Sequence, residues 1–146
     1  MTGKSESNDE RAILGLIESF KQGHHDKNAA AVAVLYAPDA TIFDLAPPLG
    51  YAVDREGLEQ WFATKDGPIG IEVQGLVLDI EDSLATGHGY MRVSTETGAG
   101  AEAWWMRFTM IFRRQPDGAW RIAHDHSSVP FYMDKSARAA LDLVPD

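Results

Sequence analysis

The sequence predicts an α+β domain in which helices come first and an antiparallel sheet follows. Three observations predict it. The first third carries apolar residues at helical spacing. The second half carries four long segments that alternate apolar and polar residues. Turn signals separate those segments at Asp82-Ser83, Thr97-Gly98-Ala99-Gly100 and Gln115-Pro116-Asp117-Gly118.

The elements follow in order. Residues 1–8 are polar and read as a disordered lead to one domain over 9–133. Ser7 and Glu10 form a Ser-x-x-Glu capping box. Ile13, Leu16, Ile17 and Phe20 then make one apolar helix stripe, with Gly23 at its end. A second helix runs from about Asn28 to Tyr36, and Pro38 stops it. Thr41-Ile42-Phe43-Asp44 is a short strand. Pro47, Pro48 and Gly50 mark 45–53 as a loop or lid. Asp54 caps a third helix with Leu58, Trp61 and Phe62 on one face, ended by Gly67-Pro68. Strands cover Ile69 to Glu81, Ala85 to Thr97, Ala101 to Arg114 and Trp120 to Val129. A tail at 134–146 has room for a short helix.

The segment from Ala101 shows what the sheet buries. Trp104, Met106, Phe108, Met110 and Phe112 share one side, a core face. Trp105, Arg107, Thr109, Ile111 and Arg113 share the other. Apolar groups mixed with charge on an outer face fit an interface better than open surface. The expectation is a homodimer through that face.

Composition excludes several classes of function. At 146 residues the chain fits one domain that buries roughly two thirds of its unfolded surface. It has no cysteine, hence no disulfide, thiolate metal site or cysteine nucleophile. Its net charge of −9, from 22 acidic against 13 basic residues, opposes a phosphate backbone. A nucleic-acid partner is not expected. No apolar run nears the ~18 residues of a membrane span, and residues 1–9 lack the apolar core of a signal peptide. The expected setting is cytoplasmic, with no membrane partner. Gly-rich phosphate loops, nucleophile elbows and HExxH motifs are missing.

Candidate site residues are few. Asp44 ends an apolar strand before a Pro-containing loop. Among Ile42, Phe43 and Leu45 it would be desolvated, which makes a carboxylate a better base. Its other reading is a strand-end cap or a partner for an Arg. His124 and His126 alternate with Trp120, Ile122 and Ser128 on one strand face, with Asp125 opposite. They read as satisfied structural groups, as pocket acids or donors, or as two metal ligands that lack a nearby third. His24-His25-Asp26 sits at a polar helix end, where imidazoles complement the dipole. Arg92 and Arg107 are strand-interior cations that need a partner, either a carboxylate ligand or a salt bridge to Glu72, Glu96 or Glu102. Tyr51, Trp61, Phe62, Trp104 and Trp105 could line a pocket for an apolar ligand; Trp61 and Phe62 also fit a plain helix-to-sheet core.

Three stretches carry a family resemblance. They are Tyr36-Ala37-Pro38-Asp39-Ala40-Thr41-Ile42-Phe43-Asp44, the segment Gly50 to Phe62, and Asp117-Gly118-Ala119-Trp120-Arg121-Ile122-Ala123-His124-Asp125-His126-Ser127-Ser128. In this order, over Glu10 to Tyr132, they resemble the SnoaL-like branch of the NTF2-like superfamily, which includes ketosteroid isomerase. The last stretch is also similar to the final strand of the association domain of calmodulin-dependent kinase. The resemblance implies a cone: a curved antiparallel (mixed) sheet wrapped around three N-terminal helices, with a pocket at the open end. It puts Asp44 where ketosteroid isomerase keeps its proton-abstracting Asp, and makes Arg92 look like a pocket arginine of the association domain. The first helix supplies no Tyr and the penultimate strand no acid, so genuine steroid isomerisation is not expected.

The functional expectation is an enzyme acting on a small apolar carbonyl or polyketide-type compound. Asp44 would be the base, with Arg92 or His126 steadying an oxyanion. Tyr51, Trp61, Trp104, Trp105, Arg107 and His124 would line the pocket. The residues imply no cofactor and no metal. The alternative is a non-catalytic small-ligand-binding or assembly module of the same fold.

Overall fold

A computed structural model describes residues 7–146. Of the expected lead, 1–6 lie outside the described residues; Ser7 is the N-cap of the first helix and Asn8 its first residue. The elements are α1 (Asn8–His25), α2 (Ala29–Ala33), β1 (Tyr36–Phe43), β2 (Tyr51–Ala52), α3 (Arg55–Ala63), β3 (Gly70–Ile80), β4 (Leu84–Thr97), β5 (Gly100–Arg114) and β6 (Trp120–Ser128).

Caps set the helix starts. Ser7 Oγ accepts from the Glu10 N–H at 3.0 Å, and the Asp54 carboxylate accepts from Glu56 and Gly57 N–H at 3.1 and 3.2 Å. Gly23 does not end α1. Its role is close approach: a Cβ there would meet Val32 Cγ2 at 2.7 Å, so the last turn of α1 lies directly on α2. The second helix is shorter than its apolar spacing suggests. It stops at Ala33, and Tyr36 already begins β1, which passes through Pro38 with a register shift against β6 between Tyr36 and Thr41.

Six strands form one sheet in the order β2-β1-β6-β5-β4-β3. All neighbours are antiparallel except β1 and β6, which run parallel. The sheet is therefore mixed. It curves around the three helices, and further register shifts occur in β3–β4 and β5–β6. Inside lies the core of Ile13, Ile17 and Phe20 from α1, Val32 from α2, Phe62 from α3, and Met91, Phe108, Met110, Phe112, Trp120 and Ile122 from the sheet. The start of α1 is pinned to the sheet: Trp120 Nε1 donates to Asp9 at 3.1 Å, and Arg114 pairs with the same carboxylate at 2.7 Å. The α+β cone is thus the fold of this chain. After β6 the chain folds back in turns, with an isolated bridge between Phe131 and Ala139 where a short helix was expected. No helix among the described residues is long and apolar enough to cross a membrane.

Candidate active site

The open end of the cone holds a cavity of about 700 Å³. Its apolar walls come from Phe20, Ile42, Leu58, Trp61, Ile69, Ile71, Met91, Val93, Trp104 and Met106. Set into those walls are His24, Tyr36, Asp44, Tyr51, Asp125 and Ser127.

Asp125 is the deepest carboxylate, and it reaches the cavity through a bulge. Phe112 pairs with Ile122, but Ile111 pairs with His124, leaving Ala123 as the extra residue of β6. Ile122 and Ala123 are consequently both buried, and the alternation reverses beyond them. Asp125 and Ser127 turn inward, and His124 and His126 turn outward. Asp125 is 7% exposed. The Tyr36 hydroxyl, also buried, donates to its Oδ2 at 2.9 Å. Burial pushes the Asp125 pKa up to about 6; the Tyr36 bond and His124 oppose this, and the nearby Asp44 charge adds to it. Burial and the same carboxylate push the Tyr36 hydroxyl well above its ordinary value, so it stays a donor.

Asp44 stands at the mouth. It is exposed, not desolvated as its apolar neighbours in sequence suggest. Phe43 points away to the outer face, and the following loop leaves the carboxylate in solvent. Tyr51 Oη–H donates to its Oδ2 at 2.8 Å, and the Leu45 N–H donates to its Oδ1 at 2.7 Å. Partial burial, with the Asp44 carboxylate second, raises the Tyr51 pKa.

His24 lines the cavity from the last turn of α1, where sequence reading put a solvated helix end. It is 8% exposed. Burial lowers its pKa, opposed by its bond to the Phe20 carbonyl and by Asp44.

Of the residues expected at the site, Asp44, Tyr51, Trp61 and Trp104 face this cavity. His126, His124, Arg92, Trp105 and Arg107 do not, and this corrects the expectation. On β4, Met91 and Val93 point in, so Arg92 points out, in register with Glu72 and Trp105. Arg107 on the outer face of β5 donates to Ser128 Oγ at 3.1 Å. His124 meets Thr41, its Nδ1 lying 2.8 Å from the carbonyl and 3.0 Å from the hydroxyl. The Phe43 ring packs edge-on against both His124 and His126. Neither Arg92 nor His126 is placed to steady an oxyanion at the cavity. Among the described residues no group of three or more His, Asp or Glu side chains is arranged to hold a metal ion.

Sequence reasoning missed Asp125, Tyr36 and His24. His24 carried a signal: it stands four residues after Phe20 on the stripe of Ile13, Leu16 and Ile17. Asp125 carried none, because the bulge at Ala123 exists only between two strands.

The chain belongs to the family of the SnoaL-like domain, whose model matches residues 13–132. Among solved structures it is similar to an NTF2-like protein of unknown function from Pseudomonas putida KT2440, at 29% identity and a TM-score of 0.83, covering 97% of this chain and 100% of that one. A protein from Xanthomonas campestris, proposed to be a calcium/calmodulin-dependent protein kinase II association domain, shares 23% identity and a TM-score of 0.70, over 87% of this chain and 91% of that one. A proposed dehydratase of the NTF2-like family from Streptomyces avermitilis shares 12% identity and a TM-score of 0.73, over 85% and 97%. The last two likenesses concern the fold alone. A search of the curated proteins finds no match.

Proposed function

We propose that the cavity is the active site of an acid–base enzyme, needing no cofactor, that acts on a small, mostly apolar carbonyl or polyketide-type compound with Asp44 as base. The observation that carries this reading is the pair of carboxylates, Asp44 and Asp125, on one apolar cavity in unequal surroundings. Carboxylates in unlike surroundings, one buried and one solvated, divide acid and base roles within one site. Asp44 at the mouth takes a proton from the carbon beside the carbonyl. Asp125, braced by Tyr36 and sheltered from water, faces the oxygen on which negative charge develops and donates to it in its protonated form, which it keeps up to about pH 6. A donor that bonds more strongly as that charge grows lowers the barrier.

Deuterium wash-in tests the reading. The protein is incubated in D₂O with 2-tetralone and smaller cyclic ketones, and NMR follows exchange beside the carbonyl. Wild type should exceed the buffer rate, and Asp44→Asn should lose roughly 100-fold or more of the excess. Exchange that Asp44→Asn leaves unchanged defeats the assignment. A ketone that binds without exchanging favours the alternative, a small-ligand-binding module without chemistry.

We also propose that the outer sheet face joins two copies of the chain. Phe43 and Tyr90, 42% and 45% exposed, leave large apolar surface there beside Trp105 and Ile111. Sedimentation at micromolar concentration should show a dimer; a monomer throughout that range would refute it.

A further inference from the structure

We propose that His24 is a neutral hydrogen-bond acceptor fixed in the cavity wall, and that it selects ring-containing ligands that carry a hydroxyl group. The inference deepens the reading of the cavity as a site for small molecules and rests on it.

Its tautomer follows from its partner. His24 Nδ1 lies 2.7 Å from the Phe20 carbonyl oxygen, in a buried bond. A carbonyl oxygen accepts only, so Nδ1 carries the proton. In the neutral ring Nε2 is then a bare lone pair. Among the described residues no group bonds to Nε2, and the atom is not one of the sealed, unpartnered polar atoms found there. A solvent-reachable acceptor on a cavity-lining residue is available to whatever the cavity holds. Burial supports the neutral form, because it lowers the imidazole pKa.

The ring is also held. Phe20 lies 4.3 Å from it, and Phe62 and Trp61 meet it edge-on at 5.6 and 6.3 Å between centroids. Gly23 sets its backbone against α2. A side chain fixed by packing and by a bond on its far nitrogen cannot turn to follow a ligand, so it imposes a position.

The other polar groups show why a hydroxyl is the complement. Both tyrosine hydroxyls are committed as donors, Tyr36 to Asp125 and Tyr51 to Asp44. Each Asp44 oxygen accepts one bond at the solvated mouth, away from the aromatic wall around His24. His24 Nε2 is left wanting a donor, among aromatic rings that favour a flat apolar body. A site whose acceptor expects a hydroxyl discriminates strongly against the analogue without one, since the acceptor is then desolvated and unpaired.

Matched probes test this by binding alone, separately from catalysis. 2-Naphthol and 2-methoxynaphthalene share a ring body, but only the first can donate. Calorimetric titration of wild type should favour 2-naphthol about 10-fold or more. His24→Phe should bring the two within about 2-fold, and His24→Gln, which keeps an acceptor, should restore part of the preference. ¹⁵N NMR of the imidazole should show Nδ1 protonated and Nε2 bare, with the Nε2 signal moved by 2-naphthol and not by its methyl ether. The NMR needs no variant, so it holds if a substitution fails to fold. Equal binding of both probes to wild type, binding of neither, a preference that survives His24→Phe, or a proton found on Nε2 would each overturn the proposal. Those failures leave the role of Asp44 to the deuterium exchange, which does not read His24.

Discussion

The floor and the mouth of the cavity carry the same chemical pair in opposite surroundings. At the floor Tyr36 donates to Asp125 at 2.9 Å, both groups buried. At the mouth Tyr51 donates to Asp44 at 2.8 Å, with the carboxylate in solvent. The bonds are nearly equal in length, so the bond does not distinguish the two acids. Water does. The Tyr36 bond pulls the Asp125 pKa down, yet burial outweighs it and carries the pKa to about 6. Depth in the cone, rather than hydrogen bonding, sets the two carboxylates apart.

The largest expected effect tests that division through stability. Asp125 binds a proton more tightly in the native chain than an unfolded Asp does. Between about pH 4 and pH 6 the folded state therefore holds a proton that the unfolded state releases. The contribution is fully present below the unfolded pKa and is lost as pH rises through about 6, a change on the order of 2–3 kcal/mol. Urea denaturation of wild type and Asp125→Asn at pH 4.5 and 7.5 reads it as a gap between the two proteins that widens in favour of the variant at the higher pH. A gap independent of pH would break the comparison.

A middle-sized effect separates the tyrosines. Tyr36→Phe removes a buried donor and should cost about 1–2 kcal/mol. It should also move the Asp125 titration upward, seen in ¹³C NMR of the carboxyl, because the lost bond was lowering that pKa. Tyr51→Phe at the solvated mouth should cost less than about 1 kcal/mol. Equal losses in the two variants would mean that depth is not what distinguishes them.

The smallest stability effect sharpens the comparison most. Asp44→Asn should shift the unfolding free energy by no more than about 0.5 kcal/mol, since the group is solvated and its main bonds can be kept. A melting temperature several degrees lower would identify Asp44 as a structural cap.

Much of the fold was legible in local pattern. The four long strands begin and end within one residue of their alternating segments. Ser7 and Asp54 cap the helices they precede. Of the site, Asp44, Tyr51, Trp61 and Trp104 were within reach of sequence, because the strand end, the Pro-rich loop, the third helix and the inner parity of β5 locate them. Arg92 and Arg107 were read as strand cations in need of a partner. Arg107 lies on the face of β5 that the alternation already marked as outer, and the structure places Arg92 on the outer face of β4.

What the sequence by itself determined is the element order, the inward stripe of α1 and the core face of β5. Periodicity and capping act over a few residues, and the chain carries them wherever it goes. Only the tertiary structure decided which acid enters the cavity, how wet each acid is, and that His24 closes a wall of it. The extra residue at Ala123 is defined by the pairing of β6 with β5, and it exchanges His124 and His126 for Asp125 on the inner face. Solvation depends on what the curved sheet and three helices leave uncovered. That is why Asp44, beside apolar neighbours in sequence, stands in water, and Asp125, between two histidines, does not.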